Sequence, residues 1–133
     1  MKIRPSYIFT VLGNAMDHIQ EGYISNNTVH IPLSINTVNK CLDKSEEISS
    51  YYSIWADFSR KGLVNIYAEP DDDYSDDDVE NSENVNLVDF DDLFEYLEFT
   101  ESESLFDMMC KMIYTNAPEI WNKNLDKTSN NMV

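Results

Sequence analysis

The stretch Ser45–Pro70, SEEISSYYSIWADFSRKGLVNIYAEP, carries the clearest structural pattern in this chain of 133 residues. Acidic residues open it, Arg60 and Lys61 follow its apolar part, and Gly62 supplies a C-terminal stop, as the helix macrodipole and helix capping favour. Apolar residues recur at helical spacing, at Ile48, Tyr51, Tyr52, Trp55 and Phe58. The pattern predicts a helix over 46–61 and, from its alternation, a strand over 63–68.

The sequence before this stretch predicts three further elements. Apolar residues at helical spacing indicate a helix over 5–21 that begins at Pro5, a residue favoured in the first turn. The β-branched segment 28–33 is predicted to be an edge strand, because Pro32 cannot donate a hydrogen bond to a neighbouring strand. A short helix is expected over 37–44.

The sequence after it predicts an acidic loop at 70–84, a short strand at 85–88 and a helix capped by Asp89. A further helix is expected after a capping box formed by Thr100 and Glu103. The residues expected to face inward in that helix are Leu105, Met108, Met109, Met112 and Ile113.

Composition indicates a folded chain, since 42% of the residues are hydrophobic and 12% are aromatic. We predict a small single domain of the α+β class. It is expected to be mostly helical, with about five helices and two or three short strands. Residues 1–127 are predicted to form this domain and residues 128–133 a frayed tail.

Negative charge is concentrated in one segment. Seventeen of the 25 acidic residues lie between Glu69 and Asp107, and no Lys or Arg interrupts them. The rest of the chain holds eight acidic and nine basic residues and is close to neutral, although the whole chain has a formal charge of -16. A charge concentrated in this way repels itself and favours a positively charged partner.

The acidic segment also contains the residues that we predict to bind such a partner. Carboxylates at 91, 92, 95 and 98 would share the outer face of a helix, and Tyr74 has no apolar neighbours in sequence to pack against. The predicted partner-binding residues are Asp71, Asp72, Asp73, Tyr74, Asp76, Asp77, Asp78, Glu80, Asp91, Asp92, Glu95, Glu98, Glu101 and Glu103.

The sequence favours neither catalysis nor metal binding. The alternating acids from Asp71 onward lack the Gly and Glu that an EF-hand loop requires, and the two histidines have no Cys at zinc-ligand spacing. No cofactor is expected. Cys41 and Cys110 are predicted to be buried free thiols of a cytoplasmic protein. The chain has no apolar run of about 20 residues, so no membrane span is expected.

These observations favour a non-enzymatic inhibitor that binds a basic, nucleic-acid-active protein. Two settings remain open, an immunity protein against a nuclease toxin and a phage-encoded DNA mimic that blocks restriction or CRISPR enzymes. Direct nucleic-acid binding is disfavoured by the sign of the charge. The alternative is an interaction module without inhibitory role, in which Leu87–Phe99 docks into a partner's groove. A homodimer is also compatible with the sequence.

Overall fold

A computed structural model describes residues 1–71 and 83–131, and side chains as far as residue 118. Within these ranges the chain forms five strands and four α-helices. The strands are β1 (Tyr23–Ser25), β2 (Thr28–Leu33), β3 (Tyr52–Ser59), β4 (Gly62–Pro70) and β5 (Val85–Asn86). The helices are α1 (Ile8–Asp17), α2 (Ile35–Lys40), α3 (Phe90–Phe99) and α4 (Glu103–Asn131), with single 3-10 turns at Pro5–Tyr7 and Ile19–Glu21.

The five strands form one antiparallel sheet in the order β1-β2-β3-β4-β5, so each strand pairs with the next one along the chain. The longest pairing joins β3 to β4, from Tyr52 opposite Pro70 to Ser59 opposite Gly62. Val64 is the extra residue of a bulge in this pairing. Gly62 has a φ of 122°, a conformation that side-chain-bearing residues rarely adopt, and this allows the tight turn between the two strands.

The predicted helix over 46–61 is wrong, because half of that range is strand β3 and the described residues before it form no helix. Ile54, Ala56 and Phe58 are buried, while Trp55 and Asp57 between them point to the opposite face of the sheet. This period of two is the pattern of a strand with one buried face. The spacing of the larger apolar residues also fits a helix, and pairing with β2 and β4 on both sides decides between the two.

The mostly helical fold is therefore also wrong, although the α+β class is correct. The sheet has five strands where two or three were expected. Segment 28–33 is a strand, but it pairs with both β1 and β3 and is not an edge. Pro32 is tolerated there because β1 reaches only as far as His30, so that Pro32 pairs with Trp55 alone.

The helices pack on one face of the sheet. Two predictions about the helices are confirmed: an N-terminal helix, now confined to α1, and a cap on α3 by Asp89. A predicted short strand is also confirmed, at Val85–Asn86. The capping box is wrong, because Thr100 ends α3 and its hydroxyl donates to the Tyr96 carbonyl oxygen at 2.9 Å.

Helix α4 turns a different face to the sheet from the one predicted. Its buried residues are Phe106, Cys110, Ile113 and Ala117. Of the five residues expected to face inward, Leu105, Met108 and Met112 are exposed. Met109 is partly buried against the core and Ile113 is fully buried. Cys110 lies close to the sheet, with its Cβ 4.0 Å from the position that a Cβ on Gly62 would occupy.

We predict that Phe58→Ala lowers the free energy of unfolding by about 3–5 kcal/mol, since Phe58 is fully buried in the central strand. The control is Phe99→Ala, the same change at a side chain that is 87% exposed, which should alter stability by less than about 0.5 kcal/mol. Urea denaturation measures both values. Equal losses for the two variants would contradict the burial that the fold assigns.

Candidate functional site

Helix α3 displays an acidic surface made of Asp91, Asp92, Glu95 and Glu98, which we call the acidic face. All four side chains are exposed. Their spacing of one, three and three residues follows the turn of the helix, so that they share one side of it. The sequence predicted this arrangement, and the structure brings these four predicted residues together on one rigid element.

The opposite side of α3 holds the helix on the body of the protein. Leu93 and Leu97 are almost fully buried, and Phe90 and Tyr96 pack partly against the core. The helix contacts the turn Pro5–Tyr7 and the first part of α4. Burial of this apolar side fixes the direction in which the acidic face points, so the backbone that carries its carboxylates does not need to be ordered when a partner binds.

The start of α3 is also fixed by backbone hydrogen bonds. The Asp89 carboxylate accepts from the Asp92 backbone N–H at 3.2 Å and so caps the helix. Just before it, the Leu87 N–H donates to the Ile66 carbonyl at 2.8 Å, and the Leu87 carbonyl accepts from the Ile3 N–H at 2.7 Å. The helix is therefore tied both to the sheet and to the N-terminal segment.

The charge of the acidic face is not neutralised by the described part of the protein. Ion pairs within that part involve other residues: the N-terminal ammonium with Glu46, Arg4 with Asp43, and His30 with Asp57. Four carboxylates without a cationic neighbour produce a local negative potential that reaches about 8–10 Å into physiological salt. Such a field attracts a basic partner.

Two aromatic rings stand among these charges. Phe94 is 53% exposed and Phe99 is 87% exposed. The Phe94 ring packs against the Phe90 ring, with ring centroids 5.6 Å apart. Phe99 lines a shallow groove together with Pro5, Asp92, Glu95 and Tyr96. Exposed rings surrounded by charge are typical of interface anchors.

The other predicted binding residues are separated from the acidic face or lie outside the described residues. Asp71 follows β4, where its carboxylate accepts a hydrogen bond from the Ser53 hydroxyl. Glu101 lies in the turn after α3 with a φ of 55°, and Glu103 opens α4, both exposed. The predicted residues outside the described ranges are Asp72, Asp73, Tyr74, Asp76, Asp77, Asp78 and Glu80.

A second polar constellation lies on the sheet face that the helices leave uncovered. His30 Nδ1 donates to Asp57 Oδ1 at 2.7 Å, and its Nε2 lies 2.9 Å from the Ser25 hydroxyl. The Tyr67 hydroxyl donates to the same Asp57 oxygen at 3.4 Å. No local motif in the sequence marks His30, because only the pairing of β1, β2 and β3 brings these residues together.

The hydrogen bonds connect side chains in the same sequence as in a hydrolase triad, from Ser25 through His30 to Asp57. Catalysis by such a triad also needs donors for an oxyanion and a site that excludes water. Ser25 is exposed beside the two-residue turn that ends β1, and the ring of Tyr23 stacks on the imidazole at 4.6 Å. We therefore interpret the three residues as a polar network that links the first three strands.

The two cysteines are buried and free, as predicted. Burial raises the pKa of the Cys41 thiol, and it raises the pKa of the Cys110 thiol to about 12. Both therefore remain protonated at neutral pH and are poor nucleophiles. Across the described ranges, no three His, Cys, Asp or Glu side chains are grouped so that they could hold a metal ion.

Comparison with known proteins gave no match: no family model matches the chain, and no curated protein or solved structure shows significant similarity to it. Within residues 1–71 and 83–131, no helix is long and apolar enough to cross a membrane. The site must therefore be interpreted from its own geometry.

We predict that neither thiol reacts with Ellman's reagent in the native protein at neutral pH, and that both react once the chain is unfolded. The raised pKa of Cys110 also makes the free energy of unfolding depend on pH. Because the unfolded thiol ionises near pH 9.0 and the native thiol only near pH 12, this group lowers the free energy of unfolding as pH rises through that interval. Rapid native labelling of Cys110 would contradict its burial.

Proposed function

We propose that this protein is a non-enzymatic inhibitor that binds the basic surface of a nucleic-acid-active protein through the acidic face of α3. The observation that carries the proposal is the set of four exposed carboxylates, without an ion pair to any described side chain, on a helix whose other side is packed into the protein. A basic protein that handles DNA or RNA offers the complementary field. The cytoplasm is the compartment in which such an encounter is expected.

The spacing of charge supports mimicry of a nucleic-acid strand. From Asp91 to Glu98 the helix rises about 11 Å at about 1.5 Å per residue, and four carboxylates lie along that length. This is roughly one charge per 3 Å, close to the one charge per about 3.4 Å that a single DNA strand presents. A cleft arranged to bind phosphates would therefore meet a similar number of negative charges per unit length.

The exposed rings of Phe94 and Phe99 supply apolar contacts that can hold a bound partner in place. Electrostatic attraction mainly speeds association, whereas aromatic side chains buried on binding slow dissociation. Both settings stay open: an immunity protein against one toxin would rely more on the aromatic contacts, and a phage-encoded mimic of DNA more on the charge.

The packed α3 weakens the alternative of a disordered docking segment over Leu87–Phe99, because that segment already has a fixed structure.

We predict that neutralising the acidic face by Asp91→Asn, Asp92→Asn, Glu95→Gln and Glu98→Gln leaves the fold intact and slows association with the partner by about tenfold or more at low salt. Stability should change little, because the four side chains are exposed. Stopped-flow or surface-plasmon measurements at several salt concentrations, with a partner captured from lysate and purified, give the rate.

The matched control removes four exposed acids elsewhere, by Asp17→Asn, Glu21→Gln, Asp43→Asn and Glu47→Gln. This variant loses as many negative charges as the α3 variant does, so it measures the effect of total charge alone. We expect a much smaller loss of rate. If the control variant slows association as strongly as the α3 variant does, net charge and not the acidic face attracts the partner.

A separate prediction concerns the aromatic anchor. Phe99→Ser should leave the association rate within about twofold and raise the dissociation rate by about tenfold, which corresponds to about 1.4 kcal/mol. Leu105→Ser is the control, since Leu105 is another exposed apolar residue on the neighbouring helix. An unchanged dissociation rate for Phe99→Ser would exclude this ring from the interface.

A further inference from the structure

The uncovered face of the sheet, which we call the open face, is rich in aromatic residues. Alternation along the strands places on it Tyr23, Ser25, Thr28, His30, Pro32, Ser53, Trp55, Asp57, Ser59, Asn65, Tyr67, Glu69 and Asn86. A sheet face turned to water usually carries small polar and charged residues. Two tyrosines, a tryptophan and a histidine together therefore require an explanation.

The rings on the open face stand in two adjacent rows across the strands. In the first row Tyr23 pairs with His30 and His30 with Asp57; in the second, Trp55 pairs with Tyr67. Tyr23 connects the rows, because its ring stacks on His30 and meets the Trp55 ring edge-on with centroids 5.6 Å apart. Tyr23 remains 50% exposed and is the accessible ring of the cluster, whereas Nε1 of Trp55 is buried.

Carboxylates border these rings. Burial raises the pKa of Tyr67, and the nearby negative charges of Asp57 and Glu69 raise it further. Partial burial raises the pKa of Asp57 itself, and hydrogen bonds from His30 and Tyr67 only oppose that effect. The strands place neither Lys nor Arg on the open face, and within the described strands only His30 can offset the negative charge of Asp57.

We propose that the open face is a second contact surface, which binds an arginine side chain from an exposed segment of a basic protein. A guanidinium stacks on tyrosine and tryptophan rings and at the same time donates hydrogen bonds to carboxylates, whereas an ammonium does this less well. The rings of Tyr23 and Tyr67 and the carboxylates of Asp57 and Glu69 supply both kinds of contact. The surface is distinct from the acidic face.

The same rings would stack on nucleotide bases, but the charges select against that ligand. Sheet faces that bind single strands combine aromatic rings with positive charge that tracks the phosphates. On the open face the groups beside the rings are carboxylates, which repel phosphates. An arginine-bearing protein segment fits the charges as well as the rings.

The test uses the intact protein labelled with ¹⁵N and the blocked peptide acetyl-Gly-Arg-Gly-Arg-Gly-amide at low salt. We expect saturable shifts of the Trp55 indole N–H and of the backbone amides of Asp57 and Tyr67. The same peptide with citrulline in place of arginine keeps the shape and loses the charge, and should bind at least about tenfold more weakly. A lysine peptide should fall between the two.

Two variants with the same loss of charge identify the surface. Asp57→Asn with Glu69→Gln should weaken peptide binding by about tenfold, while Asp17→Asn with Glu47→Gln, at exposed acids outside both surfaces, should change it less than about twofold. Tyr23→Leu, at a half-exposed position that does not endanger folding, should also weaken binding.

Three results would overturn the proposal: shifts confined to α3, equal losses for the two charge variants, or equal binding of the citrulline peptide. Stronger binding of a thymidine oligonucleotide at the same residues would make the surface a nucleic-acid site. Because the readout needs no natural partner, its failure leaves the role of the acidic face untouched, and the reverse also holds.

Discussion

The pairing of β3 with β4 is the constraint on which the other elements depend. It places Ile54, Ala56 and Phe58 on one side of the sheet, where the helices cover them, and leaves Trp55 and Asp57 on the other. The register also carries β5, which pairs with β4 and leads directly into α3. A slip of one residue would exchange the two faces, exposing the apolar set and burying Asp57. The position of the acidic face and the composition of the open face both follow from this one register.

In this fold the residues that stabilise the core are different from those that carry the charge. The buried residues are apolar, and none of the polar or charged residues in the described ranges is buried. Among the described side chains the acids of α3 form no ion pair, and they repel one another at a cost that the packing of Leu93 and Leu97 offsets. Charge that does not stabilise the fold is available to act on something else. This separation is the physical argument for a binding role.

Local signals in the sequence predicted α3 well. The cap at Asp89, the apolar side and the exposed acids can all be inferred from neighbours within a few residues, so the acidic face was foreseen. The sheet was not. In the segment around Trp55 the helical spacing and the strand alternation coexist, and only the partners of β3, distant in sequence, decide between them. The open face depends on the same pairings, because nothing near His30 in sequence indicates Asp57.

The central claim is that the acidic face occupies the nucleic-acid site of a basic protein, and competition for that site tests it most directly. A partner captured at low salt and purified would be bound to a fluorescent duplex or single strand that it recognises, and this protein would be titrated in while anisotropy is followed. The account predicts complete displacement of the nucleic acid, with a midpoint that shifts to higher protein concentration as nucleic acid is added. A stable ternary complex, in which the partner holds both ligands at once, would contradict it.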